Sequence, residues 1–186
     1  LIGIDVHYET TEEVLQQLNR ENAQYETAKK NHILRNQELF RNNIRAKGIL
    51  TKCYLCGCEI ESILQAAHLW GVAQIKSASL KTINSALREP SMVDLVDIES
   101  EHCKEEFYRR YVLANSGDNG VWLCNNHHGL FDSHYFCFDS ETGKVIIDTT
   151  KEPEAIEFIK ELTPDMQLTD DVLTPRTKSF LKYSQL

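Results

Sequence analysis

Residues 119–132 read NGVWLCNNHHGLFD and bring Asn119, Cys124, His127, His128 and Asp132 within fourteen positions of one another. Thiolate, imidazole and carboxylate are metal-ligating groups. Two adjacent histidines, with a cysteine behind and an acid ahead, suggest two metal sites sharing one turn. Upstream, CYLCGC places Cys53, Cys56 and Cys58 together. Cys53-x-x-Cys56 followed by Gly57 has the spacing of a zinc knuckle, in which glycine relieves the tight turn that faces two thiolates toward one ion. Cys58 lies close enough to replace Cys56. A Cys-x-x-Cys beside further Cys and His, in a chain without a signal-peptide pattern, favours metal over disulfides and a reducing, cytoplasmic setting. Cys103 and Cys137 read as buried small hydrophobes.

These groups need elements to position them. From Thr10 and Thr11, followed by Glu12 and Glu13, to Gly48 there is neither Pro nor Gly. The start and stop signals predict one long helix, or two broken ones, over about 11–47. Residues 63–68 read as a short strand ending at His68. Residues 71–116 are polar and mostly helical in pattern. Val121–Cys124 is β-prone, and Asn125 is placed to cap a helix running to about residue 132. HYFCFDSETGKVIID reads as a hairpin, and 151–162 as a helix. Beyond Pro164 the tail is expected to be extended or poorly ordered. Trp70, Trp122, Tyr135, Phe136 and Phe138 are core candidates. His7, His32, His102 and His134 are read as surface or packing residues.

The net charge of the 186 residues is −8, which disfavours a polyanionic partner on average. The distribution is uneven. Residues 1–28 carry six acids and one base, whereas 29–52 carry seven bases and one acid. Local charge governs docking on a polyanion. Lys30, Arg35, Arg41 and Arg45 are therefore candidate phosphate contacts, against the plainer reading of a solvated face on a packing helix. No apolar run approaches the roughly 18 residues of a membrane span. The chain opens on Leu1 without Met and is expected to be part of something longer.

The order of LQAAHLW, then DNGVWLCNNHHGLFD, with CYLCG upstream, resembles the HNH endonuclease family, especially HNH domains of bacterial restriction-type proteins. The resemblance covers about Cys53 to Asp139 and implies an α+β fold with a ββα-metal core. It implies that His68 is the general base, that Asn119 tethers the loop and helps orient that base, and that His128 holds a catalytic Mg²⁺ or Mn²⁺. Neighbouring helix residues point about 100° apart, so His127 is assigned with Cys53, Cys56 and Cys124 to a structural Zn²⁺. Many HNH proteins carry a ligand just before the base; here that position is Ala67. Asp132, one turn after His128, is the first candidate to replace it, and His134 the second.

The expected organisation is a basic helical segment over 1–48, an HNH domain over 49–148 with a long insertion at 71–116, and a C-terminal helix and tail over 149–186. The expected activity is metal-dependent hydrolysis of double-stranded DNA, with restriction as its biology and a bacterial cell interior as its location. Cutting both strands needs two active sites, which makes a homodimer a candidate assembly. The alternative is a zinc-stabilised DNA-binding module without catalysis, motivated by Ala67 and the acidic net charge. A purely structural zinc domain is a third reading.

Overall fold

Two short strands, β1 (Leu64–His68) and β2 (Gly120–Cys124), pair antiparallel with Leu64 opposite Cys124 and His68 opposite Gly120. Every residue of β2 is buried, so this pair is central rather than a surface hairpin. It is followed directly by α6 (Asn125–Asp132). The computed structural model describes residues 11–96, 101–163 and 166–185, without the side chains of Thr11, Glu13, Val14, Leu15, Leu18 and His102. Expectations for His7, Thr10, His102 and Pro164 lie outside the described residues.

The remaining elements wrap this unit. They are α1 (Thr11–Lys30), α2 (Gln37–Arg45), α3 (Val72–Ser77), α4 (Leu80–Leu87), α5 (Glu106–Asn115), the hairpin β3 (Phe136–Phe138) and β4 (Val145–Ile147), α7 (Pro153–Leu162) and α8 (Pro175–Ser184). The architecture is α+β, with helices outnumbering two small antiparallel sheets.

The N-terminal helical stretch breaks in two. His32 adopts φ 53°, and the bonds Ile33 N–H to Ala28 O (2.9 Å) and His32 N–H to Lys29 O (3.2 Å) close a Schellman turn around it. Asn36 then restarts the chain as an N-cap, its side chain accepting from Leu39 N at 3.1 Å. α2 buries Leu39, Phe40, Asn43 and Ile44, while Arg41 and Arg45 lie exposed.

The 71–116 insertion is helical, as its pattern predicts, but it is not a polar appendage. Ile75, Ile83, Leu87, Met92, Tyr111 and Leu113 are all fully buried. Arg110 is buried as well, donating to the carbonyls of Ile75, Lys76 and Ala78 and pairing with Glu106. The expectation of an extended tail is corrected over the described residues, because α8 packs Phe180, Leu181 and Tyr183 into the core. Pro175 starts this helix rather than breaking it, with Thr174 capping Thr177 N at 3.1 Å. Burial of Phe180 and Leu181 alone contributes about 1.5–3 kcal/mol each. Cys124, not Asn125, occupies the cap position of α6, and Asn125 is its first residue.

Asp118 joins the ends of three segments. Its carboxylate meets Lys47 Nζ at 3.4 Å, Arg176 at 3.3 Å and the Thr174 hydroxyl at 3.2 Å. It lies in a short 3₁₀ turn, Gly117–Asn119, which enters β2. Here α2 comes so close that a Cβ on Gly117 would sit 2.2 Å from Asn43 O. A backbone obstacle cannot swing aside, so Gly117→Ala is expected to destabilise the fold by about 3 kcal/mol. Urea denaturation checks this; a shift under about 1 kcal/mol would contradict the close approach.

Candidate functional site

The knuckle forms from a turn closed by Gly57, at φ 72°, whose N–H bonds Cys53 O at 2.8 Å. Tyr54 N–H donates to Trp122 O at 2.9 Å, tying this turn to β2. Cys124 ends β2, and His127 follows one helical turn later in α6. As a result the ligand atoms of Cys53, Cys56, Cys124 and His127 all lie within 4.8 Å of one another. His127 Nδ1 is 3.4 Å from Cys53 Sγ and 3.3 Å from Cys124 Sγ, and the sulfurs of Cys56 and Cys124 are 3.9 Å apart.

A tetrahedral ion with Zn–S near 2.3 Å and Zn–N near 2.0 Å needs about 3.8 Å between sulfurs and about 3.5 Å between sulfur and nitrogen. The cluster fits a metal such as zinc. Thr163 Oγ1 sits 2.7 Å from His127 Nε2, which can donate its proton there and leave Nδ1 as the ligand nitrogen. In the absence of a cation, burial, with Cys53 and Cys124 adding, pushes the Cys56 thiol up to about 12. Three neighbouring thiolates need a positive ion among them. Cys58 stands outside this group, Cys103 is buried, and Cys137 is exposed, contrary to expectation.

His68 terminates β1. Its Nε2 lies 2.8 Å from Ala114 O, a pure acceptor, so Nε2 carries the proton and Nδ1 is the basic nitrogen. The imidazole stacks on Phe40 with ring centroids 3.8 Å apart and planes 10° apart. Gly120, opposite His68 on β2, makes room for this stack: a Cβ there would approach Phe40 Cζ to 2.8 Å and Ile44 Cδ1 to 2.4 Å. Burial pulls the His68 pKa down to about 4; the Ala114 carbonyl opposes this, and Arg35 and His128 add to it.

Asn119 is fully buried and committed to backbone. Its Oδ1 accepts from Trp70 N at 2.7 Å, and its Nδ2 donates to Trp70 O at 3.0 Å and Leu113 O at 3.2 Å. It therefore holds the chain two residues beyond His68 against the residue preceding Ala114. These side-chain hydrogen bonds all go to backbone near His68 and its acceptor.

His128 points away from the cysteine cluster. Its Nδ1 contacts Gln65 Oε1, and its Nε2 lies 3.3 Å from Asp132 Oδ2. The two ring nitrogens thus face an amide oxygen on β1 and a carboxylate one turn along α6. His68, Asp132 and His134 line one cavity of about 160 Å³, whereas Ala67 is fully buried and offers no donor.

The basic candidates are dispersed. Lys30 and Arg41 are exposed. Arg45 pairs with Glu61 at 3.4 Å and lies over the Trp122 ring at 5.3 Å. Arg35 is half-buried in the α1–α2 linker. Sequence reasoning missed Gln65, Ala114 and Thr163. Strand alternation points to Gln65, two positions before Ala67 on the same face. Nothing local marks the other two.

No described helix is long and apolar enough to cross a membrane. Residues 53–139 match a family model described as HNH endonuclease. No curated protein matches the chain.

Proposed function

We propose that this chain, whose residues 53–139 belong to the HNH endonuclease family, is a metal-dependent endonuclease that hydrolyses phosphodiester bonds in double-stranded DNA. The observation that carries the reading is the state of His68. It is neutral at pH 7, its Nε2 proton is committed to Ala114 O, and it lines the same cavity as Asp132. Nδ1 is then free to take a proton from a water attacking phosphorus.

His128 and Asp132 would hold the divalent cation, Mg²⁺ or Mn²⁺, which when bound neutralises the scissile phosphate and stabilises the leaving 3′-oxygen. Asn119 keeps β1 and the Ala114 carbonyl in register with the imidazole. Cys53, Cys56, Cys124 and His127 would hold a structural Zn²⁺, which would fix the start of α6 and so the direction of His128. The motif resemblance supports restriction as the biological role, and a homodimer would supply the second active site for cutting both strands.

The chemistry predicts its product. Water attack with a 3′-oxygen leaving group gives 5′-phosphate and 3′-hydroxyl ends. End-labelling of cut plasmid with and without prior phosphatase treatment tests this; 3′-phosphate ends would contradict the assignment. Gln65→Ala, by releasing the Nδ1 side of His128, is expected to weaken Mn²⁺ binding by about tenfold to a hundredfold. Isothermal titration on the zinc-loaded protein reads it, and an unchanged Kd would remove His128 from the metal site.

A further inference from the structure

Arg35 lies outside the 53–139 segment, yet the fold anchors its backbone beside the residue whose carbonyl holds His68. Asn115, fully buried, accepts from Asn36 N at 2.7 Å and donates to Leu34 O at 2.7 Å. The residues on either side of Arg35 are thus pinned to one side chain. That side chain adjoins Ala114, whose carbonyl holds His68. Phe40, five residues on, stacks against His68.

The Arg35 side chain has an unmet need. Its Nε is buried and has no hydrogen-bond partner, a state that costs about 1–3 kcal/mol unless a ligand supplies an acceptor. Asp132 and His68 lie within its electrostatic reach, and so does Arg41. Burial and Arg41 both pull the guanidinium pKa below its ordinary value, and Asp132 opposes them. One flank of Arg35 borders an open cavity of about 460 Å³ between α1 and the linker, separate from the cavity that His68 and Asp132 line. Across the site, Ala67 contributes no charge or donor.

We propose that Arg35 grips a non-bridging oxygen of the scissile phosphate, donating from Nε and a terminal nitrogen, and so completes the active site from the N-terminal segment. The proposal rests on the endonuclease reading. A guanidinium suits the role because two parallel N–H groups match two phosphate lone pairs, which a lysine ammonium cannot reproduce.

The test uses the zinc-loaded full chain, Arg35→Ala, Arg35→Lys and, as a charge control, Lys160→Ala, which removes an exposed cation on α7. Single-turnover cleavage at saturating DNA should fall by about a hundredfold in Arg35→Ala, recover only in part in Arg35→Lys, and stay native in Lys160→Ala. The second readout needs no catalysis. With the zinc in place and no Mg²⁺ or Mn²⁺ added, a short mixed-sequence DNA duplex should shift the ¹⁵N–¹H resonance of Arg35 Nε, identified by its loss in Arg35→Lys. A native single-turnover rate in Arg35→Ala, or an unmoved Nε resonance on saturation with DNA, overturns the proposal. If the native chain cuts nothing, the endonuclease reading fails by itself. The Nε shift then still decides the phosphate contact. If Arg35→Ala does not fold, Arg35→Lys and the resonance carry the decision.

Discussion

Replacing Cys124 with serine, or stripping the metal with a strong chelator, is expected to unfold the protein at room temperature. Structural zinc contributes about 10 kcal/mol or more of coupled folding free energy, comparable to the whole stability of a typical domain, about 5–15 kcal/mol. The geometry says why the loss would be general. The cluster joins the 53–57 turn, the end of β2 and the start of α6, and β2 is buried along its whole length. Burial holds the Cys56 thiol up near 12, so without the ion that thiol stays neutral. Cys58→Ser and Cys137→Ser, outside the cluster, should keep full zinc content and a native melting temperature. Thr163→Ala should lower zinc affinity by about tenfold to a hundredfold without abolishing binding, because only the support of His127 is lost. Elemental analysis with thermal denaturation checks each. A Cys124→Ser protein that folds with native stability would sink the structural-metal account.

His68→Ala is expected to lower single-turnover cleavage by about a hundredfold to ten-thousandfold, the usual range for losing a general base. The pH dependence separates this from a packing defect. In the free protein the imidazole pKa stands at about 4, chiefly through burial, so the basic form is already complete at pH 7. Activity governed by this group is therefore lost on acidification through about pH 4, not through the ordinary histidine range near 6.5. A phosphodiester placed beside the ring favours its protonated form and raises that pKa. The acid limb of kcat should accordingly lie at higher pH than the acid limb of kcat/KM, since the first reports the DNA complex and the second the free enzyme. Coincident limbs near pH 6.5 would show that His68 is not held as described. His68→Ala also leaves Phe40 unstacked, so its zinc content and circular dichroism must match the native chain before rates are compared.

Much of this site was legible because ligand chemistry and spacing are local. Cys53-x-x-Cys56-Gly57 and the adjacent His127 and His128 pointed to two separate directions from one helix, and the side chains do diverge, one into the cysteine cluster and the other toward Asp132. The strand ending at His68, the hairpin after Tyr135 and the two-helix option before Gly48 follow from periodicity and punctuation, which the chain itself carries. What stayed hidden depends on long-range packing. Ala114 holds His68 through a backbone carbonyl, which no side-chain pattern announces. The insertion looked polar because its apolar residues are spaced for several partners rather than one face. The tail departs from expectation because Pro175, preceded by the capping Thr174, opens a helix. Arg35 was visible only as one charge in a basic run, and Asn115, eighty residues on in sequence, gives it a place.

The central claim is that this chain cuts DNA with a divalent cation distinct from its structural metal. The most direct measurement incubates the zinc-loaded native chain with supercoiled plasmid in Mg²⁺, in Mn²⁺, and in EDTA at a concentration that leaves the zinc in place. The account predicts conversion to nicked or linear DNA with Mg²⁺ or Mn²⁺ and none in EDTA. Plasmid that is bound and shifted but left uncut with either metal would contradict it, and would identify a zinc-stabilised DNA-binding module in which Ala67 leaves the catalytic ion without a home.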